Sequence, residues 1–268
     1  MLHEEGHTFV AEEGAYSAST SNLPVLQYFP ARGRAEPIRL ALAYAQQEWF
    51  EPPVAPILQL LRRQLDGYTF RQLPRYIDAP NGKIDIVQSM AILRHVARKH
   101  GLYGGDEEDA ARVDMVVDGV QDLRAKLKAY WFQRDAPGAA DDYISTVLAR
   151  EDDLAAPGCP LKGPGLACLE RLAADGAEDG PWLGGCPKLT IADITVFDLF
   201  DSHLAAAPPV AAAARERFPW LAAHHRRVAA QLGIKEYLAS DNRHAHIFAD
   251  DWRREQQQRQ EREQREGG

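Results

Sequence analysis

The spacing of apolar residues changes character once along this chain, at Gly105, and that change narrows the available folds more than any other feature. From Asp106 onward apolar residues recur almost throughout at helical spacing, as in Val113, Val116, Val117, Val120, Leu123 and Leu127, which share one face of a helix. That part is expected to be all-α. Before Gly105, short runs suited to strands alternate with helical stretches, and Pro, Gly and Asn punctuate them. The expected organisation is an N-terminal extension over 1–22, an α/β domain over 23–105, an all-helical domain over 106–248 and a charged Gln/Arg/Glu-rich tail over 249–268.

Within the first part, Leu23 to Phe29 reads as a strand and Ala35 to Gln46 as a helix, with Ile38, Leu42 and Ala45 on one face and Pro37 tolerable only near a helix start. A short strand around Trp49 to Val54 and a helical stretch around Ile57 to Leu65 follow. Arg75 to Asp78 and Ile84 to Val87 then flank Asn81-Gly82, a pair that accepts the positive φ of a tight hairpin. A helix over Ser89 to His100 ends at Gly101. The order βαβαββα is that of a thioredoxin-like domain. In the second part Thr190 and Asp193 have the spacing of a reciprocal helix cap ahead of Ile194, Phe197, Leu199 and Phe200, and this is read as structural.

Charge and composition remove several function classes. With 31 Lys and Arg against 39 Asp and Glu, the net charge of -8 repels phosphate backbones and anionic lipid, so nucleic acid is not an expected partner. No window approaches the ~18 uninterrupted apolar residues of a membrane span, and Pro208 and Pro209 interrupt the Ala-rich stretch. Residues 1–31 hold no Lys or Arg, which argues against a targeting presequence and for a cytoplasmic location. Cys159, Cys168 and Cys186 have no CxxC spacing and are expected as reduced thiols. His3-Glu-Glu-Gly-His7 has the HExxH pattern of zinc proteases, but Gly6 and the lack of an apolar face deny it the helix that pattern needs, so no metal is expected. His244 and His246 are read as surface histidines. The tail after Trp252 has no apolar seam and is read as a solvated helix or as disordered.

Three features near the strand ends could act on one ligand. Tyr28 ends the first strand just before the loop to the first helix, where a phenol can donate to an anion beside a helix N-terminus. Gln72-Leu73-Pro74 precedes a strand, and a cis proline there would turn backbone outward to pair with an extended peptide. Gln88-Ser89 opens a helix, where a hydroxyl and N–H groups suit a carboxylate.

In order and spacing these segments resemble the cytosolic glutathione S-transferases of the tyrosine type, nearest the pi and sigma classes. The resemblance rests on Tyr-Phe-Pro-Ala-Arg-Gly-Arg (28 to 34), Gln-Leu-Pro (72 to 74), Gln-Ser-Met-Ala-Ile-Leu-Arg-His (88 to 95), Gly-Leu-Tyr-Gly (101 to 104), Val-Asp-Met-Val-Val-Asp-Gly-Val-Gln-Asp-Leu-Arg (113 to 124) and Lys-Glu-Tyr-Leu-Ala-Ser (235 to 240). It implies a thioredoxin-like domain joined to an all-α domain, a homodimer, and glutathione as co-substrate with no further cofactor. It also implies that Tyr28 stabilises the glutathione thiolate and that Arg34 lies near the peptide. Leu73, before Pro74, pairs with the cysteinyl backbone, and Gln72, Gln88 and Ser89 hold the peptide's charged ends. Asp122 reaches the γ-glutamyl amine across a two-fold axis, while Phe29 and Phe132 wall a pocket for small hydrophobic electrophiles.

One departure stands out. The family's tryptophan and lysine for the glycyl carboxylate fall on Gln59 and Leu65, neither of which is cationic; one reading makes Arg62 or Arg63 the replacement, and the other leaves both as solvated surface charge. Two other readings fit the same residues: a sigma-like glutathione-dependent isomerase, and a binding or structural protein that kept the fold without turnover.

Overall fold

A computed structural model of the protein describes residues 22–53, 68–78, 84–149, 165–175 and 182–266. The chain divides into two units, each discontinuous in sequence. One gathers residues up to Ala35, Gln46–Ile92 and His244 onward, and the other gathers Glu36–Ala45 and Leu93–Arg243.

The first unit is built on strands β1 (Val25–Gln27), β2 (Arg75–Asp78) and β3 (Ile84–Val87), antiparallel in the order β1-β2-β3. Val25 faces Ile77 across the first pair, and Asp78 faces Ile84 across the second. The expected strand around Trp49 to Val54 is reduced to one parallel bridge, Phe50 to Val25, whose hydrogen bonds run from the Phe50 amide to Pro24 and from the Leu26 amide to Phe50. Pro52 and Pro53 lack the N–H groups a longer ladder would require. Val54, the Ile57 to Leu65 helix and the Asn81-Gly82 turn lie outside the described residues, as does the HExxH segment.

The second unit is helical among the described residues. It contains α1 (Glu36–Tyr44), most of α2 (Ser89–His100), α3 (Glu107–Gln133), α4 (Ala139–Thr146), α5 (Leu166–Asp175), α6 (Ile191–Leu204), α7 (Pro208–Arg217), α8 (Pro219–Ala229) and α9 (Leu232–Ala239). Basic Arg98, Lys99 and His100 close α2 against its dipole, and Gly101 leaves the helix at φ +71°. Asp106 caps α3 by accepting from the Asp109 amide at 2.8 Å, and the six-residue apolar stripe from Val113 to Leu127 is buried as expected. Helix α6 is the core of this unit, buried on nearly every side and packed on α1, α3, α7 and α8. Its Thr190–Asp193 capping box is present. Helix α9 lies close on α1: a Cβ on Gly233 would sit 2.0 Å from the Ala43 carbonyl oxygen.

The tail is helical, as α10 (Ala249–Glu266), and it belongs to the unit that carries the sheet. Cys168 and Cys186 are free thiols, with Cys186 buried and its pKa raised by that burial to about 11. His244 and His246 each meet a carboxylate, Glu51 at 3.8 Å and Glu255 at 2.7 Å. Among the described residues no helix is long and apolar enough to cross a membrane.

Candidate active site

The sheet-bearing unit holds the strand-end residues singled out above. Tyr28 follows β1 directly and is 9% exposed, and its hydroxyl oxygen accepts from the Arg34 amide at 3.0 Å. A hydroxyl that accepts a backbone N–H is polarised, which strengthens its own proton as a donor. Gly33 makes this possible. It takes φ +47°, and a Cβ there would stand 2.4 Å from the Tyr28 hydroxyl oxygen, so the ring packs where a side chain would otherwise be. The sequence reading passed over Gly33; the signal was a glycine inside an Arg-Gly-Arg loop that had to bend back over a phenol.

The second group of residues lies along the β2 and β3 ends. The Leu73–Pro74 peptide is cis, with β2 beginning at the next residue. Gln72 and Gln88 are brought together, the Gln88 side-chain amide donating to the Gln72 side-chain oxygen at 3.2 Å. Gln88 has φ +77° and accepts from the Ile92 amide, so it stands at the head of α2, while Ser89 is its buried first residue. The first N–H groups of a helix have no intrahelical acceptor, and two glutamine side chains beside them make a polar corner fitted to a carboxylate or amine.

A brace that sequence reasoning also missed holds this segment to the sheet. The Tyr68 hydroxyl donates to buried Gln27 at 2.5 Å, and the Arg75 guanidinium lies 4.5 Å from the Tyr68 ring centroid. Arg75 grips Asp85 through two bonds of 2.7 and 2.5 Å, which raise its pKa further. Its partners are far apart in sequence, so no local motif announces it.

Phe29 is buried, edge-on to Tyr28 at 5.5 Å. Arg34 is exposed. In the helical unit Asp122 and Phe132 are both exposed on α3, with the Lys128 ammonium 5.5 Å from the Phe132 ring centroid. Gln59, Arg62, Arg63 and Leu65 lie outside the described residues. Among the described residues no cluster of three or more His, Cys, Asp or Glu is suited to a metal ion.

The arrangement can hold an anion against a polarised phenol at the end of a strand. Comparison with known proteins places most of the chain beside one family. Residues 164–241 match the family model described as glutathione S-transferase, C-terminal domain. Glutathione S-transferase P 1 of Xenopus laevis is 33% identical over 221 residues, covering 82% of this chain and 93% of that protein. Glutathione S-transferase P of Homo sapiens is 33% identical over 213 residues, 80% of this chain and 90% of that protein. Among solved structures, the pi-class glutathione S-transferase of Onchocerca volvulus superposes with a TM-score of 0.62 at 30% identity, covering 80% of this chain and 91% of that one. With a relative at 33% identity spanning more than four-fifths of both chains, and with the fold to match, the chain belongs to the glutathione S-transferase family.

Proposed function

We propose that the protein transfers glutathione to electrophilic, mostly apolar substrates, with Tyr28 as its catalytic residue. The observation that carries this reading is the Tyr28 hydroxyl, which accepts from the Arg34 amide over the Cβ-less Gly33 and is thereby polarised to donate. A free thiol has a pKa near 8.5, and each unit of depression is worth about 1.4 kcal/mol in favour of the thiolate. A phenol donating to the sulfur stabilises the anion and not the thiol, so the nucleophile is more populated at neutral pH. With an aryl halide the thiolate forms a carbon–sulfur bond, halide leaves with the electron pair of the broken bond, and the thiol proton has already passed to solvent.

The remaining roles are those that the family resemblance implies. Leu73, beside Pro74, pairs with the extended peptide, and Gln72, Gln88 and Ser89 hold its carboxylate and amine ends. Arg34 lies near the peptide and Arg62 or Arg63 takes the glycyl carboxylate. Asp122 of a second copy receives the γ-glutamyl amine in a homodimer. Phe29 and Phe132 supply apolar wall. A cytoplasmic location and a detoxifying role accord with these assignments.

Conjugation of chlorodinitrobenzene, with the bound thiol titrated by ultraviolet absorbance, tests the proposal. Tyr28→Phe removes only the phenol proton and oxygen and is expected to lower the rate by about 10²-fold or more while the protein still folds and binds glutathione. A thiol pKa equal in the two proteins would remove Tyr28 from the mechanism.

A further inference from the structure

Helix α10 carries one aromatic residue, Trp252, in a sequence otherwise made of Ala, Asp, Glu, Arg and Gln. A helix with no apolar stripe is not held along its length by burial, so its position is set by its first turn and the residues before it. Those residues are well anchored. The Arg32 amide donates to the His246 carbonyl at 2.8 Å, the Gly33 amide to the Ile247 carbonyl at 2.8 Å, and the Arg32 Nε to the His244 carbonyl at 3.0 Å. Ile247, Phe248 and Ala249 are buried, and His246 meets Glu255 at 2.7 Å, tying the helix back to its own lead-in.

What this delivers to the site is a pair of flat side chains on Phe29. The Trp252 ring lies 6.1 Å from the Phe29 ring, and the Arg253 guanidinium carbon stands 4.3 Å from the same centroid. With Tyr28 edge-on at 5.5 Å, Phe29 is left only 8% exposed. Arg253 is half-exposed and sends one Nη1 contact to Asp250 at 3.1 Å, which orients the fork. A guanidinium carries five N–H donors in one plane, so it can stack on a ring and grip an anionic substituent at its edge.

We propose that α10 forms part of the electrophile-side wall, with Trp252 and Arg253 as specificity-determining residues that favour flat aryl electrophiles bearing a carboxylate or similar anionic group. This rests on the reading of Tyr28 and Phe29 given above. An aryl group bound against Phe29 would share that ring with the indole and the guanidinium. The indole contributes stacking, and the guanidinium contributes both stacking and charge.

The test separates the aryl contact from glutathione binding and from turnover. Calorimetry on the full chain measures glutathione, S-dinitrophenyl-glutathione and an S-(carboxynitrophenyl) conjugate, and the affinity ratio of conjugate to glutathione reads the aryl contact alone. Trp252→Ala is expected to reduce that ratio by roughly three- to tenfold for both conjugates, with Trp252→Phe reducing it less. Arg253→Ala is expected to reduce it at least about threefold more for the carboxylate conjugate than for the neutral one. Unchanged ratios in Trp252→Ala and Arg253→Ala overturn the proposal. Reduced ratios in a protein that turns over no electrophile support the wall and overturn the transferase reading. Failure of the parent protein to bind either glutathione or conjugate overturns both.

Discussion

The least conspicuous residue of the candidate site is Gly33, and it is the one whose replacement is most sharply predicted. An alanine there would place Cβ 2.4 Å from the Tyr28 hydroxyl oxygen and would also have to hold φ +47°. The phenol would be pushed off the Arg34 amide, and a displacement near 1 Å costs roughly 10²-fold in rate. Gly33→Ala should therefore lose conjugation about as severely as Tyr28→Phe; full kcat would show that the tucked hydroxyl is not the working group. His203 makes a second residue-scale prediction. Burial first of all lowers its pKa to about 4, against a stabilising hydrogen bond to the Leu199 carbonyl at 2.7 Å, and its Nε2 meets the Tyr143 hydroxyl at 2.9 Å. Burial also raises the Tyr143 pKa, so the neutral phenol donates to a neutral imidazole whose Nδ1–H serves Leu199. An unfolded histidine titrates near 6.5, above the folded value, so the unfolded chain binds more protons between the two. The stability that neutral His203 contributes is complete above about pH 6.5 and is lost as the pH falls toward about 4, amounting to ~3 kcal/mol. Urea unfolding of the parent should weaken over that window relative to His203→Gln; parallel pH profiles would contradict the assignment.

At the scale of elements, what could be read beforehand was what is local. The helix over Ser89 to His100, the Thr190–Asp193 cap and the stripe on α3 each depend on residues within a few turns of one another, and they stand where periodicity and capping chemistry placed them. The Phe50 strand shrank because two prolines removed donors, a rule that should have been weighed against its apolar residues. The cap on α6 also does more than its motif says. Asp193 is fully buried, and its Oδ1 accepts from the Leu183 amide at 2.8 Å and meets His224 at 2.9 Å, while Oδ2 accepts from the Thr190 amide at 2.8 Å. Only the Thr190 contact is visible in a four-residue window. Asp193→Ala would strand two amides and an imidazole in the interior and should cost about 3–5 kcal/mol. Thr190→Ala removes one cap acceptor and should cost about 1 kcal/mol. Chemical denaturation of both variants checks the ranking, and equal losses would mean that Asp193 serves the cap alone.

At the scale of the whole molecule, the assembly is the first thing to measure. Asp122 is exposed on α3, and the role proposed for it requires a second copy in a symmetric pair. Sedimentation should give about twice the 29.8 kDa chain mass. A monomer with undiminished glutathione affinity would remove Asp122 from the site. The long-range joins were the part that sequence did not disclose. Phe29 and Trp252 have no common period, and neither do Glu36 and its partners Tyr237 and Arg243, both at 3.0 Å within the helical unit. These joins also set an order of events during synthesis. Arg32 leaves the ribosome 212 residues before His244, whose carbonyl it binds, and at about 5–20 residues per second that interval is roughly 10–40 s. Throughout that time the loop beside Tyr28 lacks its partners at His244, His246 and Ile247, and Glu36 waits similarly for Tyr237 and Arg243. A nascent chain stalled before Arg243 therefore carries Tyr28 beside an unfinished loop, which is completed only once residues 244–247 have emerged.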